Sequence, residues 1–78
     1  MNMQQSDDPR FRALGMYHDH SYIVTGAEVA SGNQRVLVRN PWGVRYRQGE
    51  VPPGGSDNAE FWVAFRDVEP LIQTISVG

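Results

Sequence analysis

The short turn signal Ala30-Ser31-Gly32-Asn33 constrains this chain more than any other feature, because a β-rich run lies on each side of it. Residues 17–29 carry Tyr22, Ile23, Val24, Thr25 and Val29, the aromatic and β-branched types that suit a pleated surface. Residues 34–39 alternate, with Val36 and Val38 opposite to Leu37. Two strands joined by so short a turn can only pair antiparallel, so the sequence predicts a hairpin. Asn40-Pro41 ends the second strand, since proline cannot donate to a ladder and restricts the residue before it. Residues 44–46 are expected to extend the sheet briefly, and residues 49–58, rich in Gly and Pro, form a long loop. Residues 60–65 read as a third strand, dense in aromatics (Phe61, Trp62, Phe65). Asp67 is placed to cap a helical turn holding Val68, Leu71 and Ile72, with Pro70 near its start, and residues 74–77 read as a final strand. The fold class expected is mostly β: a small antiparallel sheet with one short helix.

Residues 1–13 read as a flexible leader, with Asp7-Asp8-Pro9 as a turn signal, and residues 14–78 as the folded unit. Phe11, Leu14 and Met16 are the first residues able to anchor the leader to a core. A chain of 78 residues buries a modest fraction of its surface, and zero cysteines remove disulfides and Cys-based zinc sites as supports. The first eight residues show neither a basic start nor an apolar run, so no signal peptide is expected. No apolar stretch approaches the roughly 20 residues of a membrane span. The expected location is the cytoplasm, with no membrane partner.

The formal net charge of -2 argues against a nucleic-acid partner. All seven basic residues are Arg, and four of them (Arg35, Arg39, Arg45, Arg47) fall within thirteen residues, alternating with apolar side chains. That alternation predicts a solvated guanidinium face rather than an anion site.

One histidine and one asparagine stand at facing ends of the predicted hairpin: His20 near the start of the first strand and Asn40 at the end of the second. An imidazole can carry protons for a nucleophile, and an asparagine oxygen can fix its tautomer without adding a buried charge. A simple register about Ser31-Gly32 sets Asn40 opposite Ile23, so a bulge or a sheared loop is needed to bring it to His20. Other readings stand beside this one. Asn-Pro is a common turn starter. His18-Asp19-His20 places two imidazoles on one strand face, where they fall short of a metal site for want of further ligands. Phe61, Trp62 and Phe65 are read as core in preference to a peptide-binding platform.

His20-Ser21-Tyr22-Ile23-Val24-Thr25-Gly26-Ala27 resembles the His-Ala-Tyr-Ser-Val-Thr-Gly-Ala segment of calpain-like cysteine peptidases. Arg39-Asn40-Pro41-Trp42-Gly43 is identical to the asparagine motif of that family. Glu60-Phe61-Trp62-Val63-Ala64-Phe65-Arg66-Asp67 is similar to the Glu-Phe-Trp-Met-Ser-Phe-x-Asp stretch that closes its protease core. The three segments occur in the family's order, and the resemblance extends over the chain from about Leu14 onward.

The resemblance implies the antiparallel, β-barrel-like half of the papain fold, with His20 as general base and acid and Asn40 as the residue that orients it. Trp42 would cover their hydrogen bond from water. It implies two partners, a helical half bearing the catalytic Cys and a peptide or protein substrate. Only thirteen residues precede Leu14, and none of the 78 is Cys, so that half is not among them. The chain also departs from the family where calcium is bound. Val44, Arg45, Tyr46 and Arg47 replace an acidic stretch, and Asn58-Ala59 stands where Asp-Gly is typical, so no metal or cofactor site is assigned. The expected function is a partial cysteine endopeptidase domain, inert until joined to a Cys-bearing half. The alternative is a non-catalytic pseudo-peptidase module that binds a peptide or protein.

Overall fold

A computed structural model describes residues 1–75. In chain order the elements are β1 (Asn2–Met3), α1 (Arg10–Leu14), β2 (Ile23–Ala30), β3 (Asn33–Arg39), β4 (Glu60–Ala64), α2 (Phe65–Val68), a 3-10 turn (Glu69–Leu71) and β5 (Ile72–Thr74). The protein is mostly β. Its strands form two antiparallel sheets, β2-β3-β4 and β1-β5, which do not close into one barrel among the described residues.

The predicted hairpin is present, with Ala30 opposite Asn33. Ser31 (φ 52°) and Gly32 (φ 76°) both take left-handed backbone, as the primed two-residue turns require. The register then changes: Gly26 faces Leu37, but Val24 faces Val38 and Ile23 faces Arg39. Thr25 is the extra residue of a β-bulge, and its hydroxyl donates to Glu60 Oε2 at 2.9 Å. On the other side of β3, the pairs Val36–Val63 and Val38–Phe61 put four apolar side chains on one buried face.

The first strand is shorter than residues 17–29. Asp19 (φ 49°) takes left-handed backbone and breaks the extended run. Residues 20–22 pair instead with residues 1–3, through Met3 N–H to His20 O (2.9 Å) and Tyr22 N–H to Met1 O (2.9 Å). That pairing corrects the expected flexible leader. Met1, Met3 and Phe11 are buried, and β1 lies between residues 20–22 and β5. Alternation of Met1 and Met3 about the polar Asn2 turns both apolar side chains to the core. Helix α1 ends at Gly15, whose left-handed φ (64°) suits a helix C-terminus. A Cβ there would come within 2.5 Å of the Tyr46 hydroxyl, so glycine also permits that close approach.

Residues 44–46 form bends rather than a strand extension. The helical turn expected at Asp67 begins two residues earlier, at Phe65, and Pro70 sits at the start of the 3-10 turn. The last strand also begins earlier, at Ile72, and residues 76 and 77 of the expected strand lie outside the described residues. Phe61 is core and Phe65 packs against it, but Trp62 is on the opposite sheet face, 39% exposed, with the Arg35 guanidinium 4.3 Å above its ring.

Arg45 is the other departure from the expected solvated face. It is half-buried, donates to Leu14 O (2.7 Å) and Gly15 O (3.4 Å), and stacks 3.8 Å from the Phe61 ring centroid. A guanidinium is weakly hydrated enough to lie on an aromatic face, and its fork satisfies two carbonyls at once.

Tyr22, 2% exposed, lies at the centre of this packing. Burial pushes its phenol up to about 12, against partial relief from the Tyr17 N–H that donates to its oxygen at 2.9 Å. The folded state therefore holds the phenolic proton more tightly than the unfolded chain. Stability should be level below about pH 10 and fall as pH rises to about 12, by roughly 3 kcal/mol. Tyr17, also raised chiefly by burial, adds to the fall in the same sense. Urea unfolding at a series of pH values checks this, and Tyr22→Phe should remove the larger part of the alkaline loss.

Candidate active site

The bulge at Thr25 decides which residues meet. An unbroken ladder would set Asn40 opposite Ile23, with His20 and Tyr22 on the other face of the sheet. The one-residue shift continues the register so that Asn40 lies across from Tyr22, and residues 20, 22 and 24 turn to the face of Val38 and Asn40. Tyr22 then enters the core, and His20, two residues before it, reaches Asn40.

Asn40 is completely buried, and its backbone N–H donates to Ala59 O at 2.8 Å, continuing the register of β3 with β4. Its side chain makes three hydrogen bonds. Oδ1 accepts from Trp42 N–H (3.2 Å) and faces His20 Nε2 at 2.8 Å, while Nδ2 donates to Arg45 O (3.3 Å). The Trp42 and Arg45 bonds fix which end of the amide is oxygen. Oδ1 can only accept, so His20 Nε2 carries the proton. Neutral His20 consequently presents Nδ1 as an acceptor, and Nδ1 has no hydrogen-bond partner among the described residues. The turn Asn40-Pro41-Trp42-Gly43 closes with Gly43 N–H to Asn40 O at 3.2 Å. Asn40 therefore starts a turn and orients an imidazole with the same oxygen.

Aromatic rings enclose the imidazole on two sides. The Trp42 ring covers it at a centroid distance of 4.2 Å, and Tyr22 meets it edge-on at 4.9 Å. Trp42 itself is 44% exposed, so the cover is a rim of the site and not part of the core. Beside His20 an open cavity of about 500 Å³ is lined by Asn2, Asp19, Ser21, Pro41 and Thr74 among others. A neutral imidazole with one nitrogen fixed as donor and the other free to accept can take a proton from a group brought to Nδ1.

His20, Asn40 and Trp42, the three candidate residues read from the sequence, are thus brought together. His18 is not: its Nδ1 lies 3.5 Å from Asp7 Oδ1, and its ring centroid lies 6.2 Å from that of Phe11. Asp57 accepts from the Arg45 and Tyr46 N–H groups (3.2 and 3.0 Å), and Glu60 accepts from Thr25. Those acidic side chains are used to shape the loop and the bulge. Among the described residues, no group of three or more His, Cys, Asp or Glu side chains is placed to hold a metal ion. No helix among them is long and apolar enough to cross a membrane.

Two residues of the site were not anticipated. Tyr17 packs against Trp42 at 5.3 Å, and Glu50 accepts from the Tyr17 hydroxyl at 2.6 Å. The loop containing Glu50 carries only a composition signal, which has no bearing on where its side chains return.

Asn40→Ala should cost about 1–3 kcal/mol, since it strips partners from buried groups around it. The same substitution should release the His20 Nε2 proton to fast exchange with water, which proton NMR of the imidazole N–H region would detect. No protein-family model matches the chain, and no solved structure matches it.

Proposed function

We propose that this chain is the His/Asn-bearing part of a calpain-like cysteine peptidase core, the antiparallel half of a papain-type fold. The hydrogen bond from His20 Nε2 to buried Asn40 Oδ1, at 2.8 Å under the Trp42 ring, carries this reading. It supports the reading because it leaves Nδ1 as the proton acceptor, oriented before any partner arrives. In this function a thiol from a helical, Cys-bearing half, on the same longer chain or a separate subunit, approaches Nδ1. His20 takes the thiol proton as the sulfur attacks a peptide carbonyl, then returns it to the leaving amine. Water attacks the thioester with His20 again as base, regenerating the thiol. Asn40 holds the ring and its tautomer throughout, and Trp42 shields their bond from solvent. The chain alone lacks the nucleophile and is inert.

The uncovered sheet also supports a missing half. Val24 (45% exposed) and Val29 (71%) share the face of Val36 and Val38, so the core stops before β2. A second reading, a non-catalytic module that binds a peptide or protein, draws on the exposed Trp62 on the opposite face.

The purified chain should cleave no fluorogenic peptide. Supplied with a Cys-bearing helical half of a calpain-like core, it should gain cleavage that a thiol alkylator blocks. His20→Ala should then lower the rate by about 10²–10⁴-fold, with Asn40→Ala also impaired. Cleavage indifferent to His20→Ala would remove the peptidase reading. Binding of the half, with unchanged affinity in both variants and no cleavage, would favour the module.

A further inference from the structure

We infer that Tyr17 is a positioning residue for the site: its hydroxyl, held between Glu50 and the Arg47 backbone, fixes Trp42 over His20. The inference rests on the peptidase reading only for its use. Its geometry stands apart, since neither Tyr17 nor Glu50 belongs to the three motifs, residues 20–27, 39–43 and 60–67, that carry the resemblance.

Trp42 is on an exposed turn and the core does not enclose it, so its place over His20 depends on the neighbours that touch its ring. Tyr17 supplies a second contact, with its ring centroid 5.3 Å from that of Trp42. Tyr17 is tied at three points. Its backbone N–H donates to the Tyr22 hydroxyl at 2.9 Å, its own hydroxyl donates to Glu50 Oε2 at 2.6 Å, and that hydroxyl accepts from Arg47 N–H at 2.9 Å. The Arg47 guanidinium lies over both rings, 4.7 Å from Tyr17 and 5.8 Å from Trp42. The contacts close a circuit: His20 to Trp42, Trp42 to Tyr17, Tyr17 to the Tyr22 hydroxyl, and the Tyr22 ring back to the edge of His20.

Within that circuit the Tyr17 hydroxyl is the fastening to the 41–59 loop, where Trp42 and Glu50 both reside. Burial and the Glu50 carboxylate both raise the Tyr17 phenol, so it stays protonated and continues to donate. Phenylalanine at this position would keep the ring but release the loop. The Trp42 indole would then be free to swing off the imidazole.

Proton NMR of the two histidine rings tests this directly in the isolated chain. His18→Asn assigns the spectrum, because the sequence holds only His18 and His20. Trp42 over the imidazole should displace the His20 ring protons upfield, and Trp42→Ala should abolish that displacement. Tyr17→Phe should lose much of the same displacement while the urea midpoint stays that of a folded protein. Glu50→Ala alters an exposed side chain, so it tests the fastening even where Tyr17→Phe fails to fold, and it should move the His20 protons in the same direction. His20 protons unchanged in both variants, with Trp42→Ala still effective, would overturn the role of Tyr17. So would a native spectrum in which Trp42→Ala moves nothing. Neither result depends on cleavage, so failure here is separate from failure of the peptidase assay.

Discussion

The β-bulge at Thr25 is the constraint on which the rest of the structure depends. Side chains along a strand alternate with a period of two, so one extra residue transfers everything beyond it to the opposite face. Without it, Ile23 would point at Asn40, Tyr22 would leave the core, and His20 would face away. With it, Tyr22 packs against Phe61 at 6.2 Å and His20 meets Asn40. The Thr25 hydroxyl is bound to Glu60 on β4, across the intervening β3. Glu60 lies opposite Arg39, one residue before Asn40, so the bond anchoring the bulge is made at the level of the site.

Asn40 shows why a structural and a chemical reading of the same residue need not compete. Its oxygen nucleates the Asn40–Gly43 turn through the Trp42 N–H and holds the His20 tautomer in the same position. The turn in turn delivers Trp42 to the face of the imidazole it has oriented. A buried amide is costly unless each polar atom is satisfied, and here both ends are. Aspartate would keep the acceptors but lose the donor to Arg45 O, and would add a buried negative charge. The neutral amide is the side chain that fits all three partners.

The parts of the fold legible in the sequence are those set by neighbours along the chain. Ser31-Gly32 fixed the hairpin because both positions need left-handed backbone, and Pro41 ended β3 because it has no N–H to donate. The three site residues were legible as motifs, but their meeting was not. Gly26 inside the first run was the available hint of a bulge, since an isolated strand glycine often marks one. Strand β1 escaped notice because two residues carry too little periodicity, and its partners lie about twenty and seventy residues away. Arg45 was misplaced for a related reason. Alternation indicates a solvated face only where the chain is a strand, and 44–46 is a bend that turns the guanidinium onto Phe61. Trp62 was misassigned by hydrophobicity alone, whereas strand parity with buried Phe61 and Val63 puts it on the outer face.

The division between what is finished and what is open in this chain bears on its proposed use. Beneath β3 and β4 the core is closed, with Val38, Val68 and Leu71 fully buried, while the same sheet face at β2 is not. The imidazole has its orienting partner and its aromatic cover, yet its Nδ1 faces no partner among the described residues. Folding alone thus meets the entropic cost of aligning His20, before any second component is present. In the proposed function, a Cys-bearing half has only to bring its nucleophile to a fixed acceptor. In that reading, apolar surface of β2 covered by the other half adds about 25 cal/mol of affinity for each Å², less the cost of association. The pre-set histidine and the apolar face left uncovered at β2 are the two features that such a half would use.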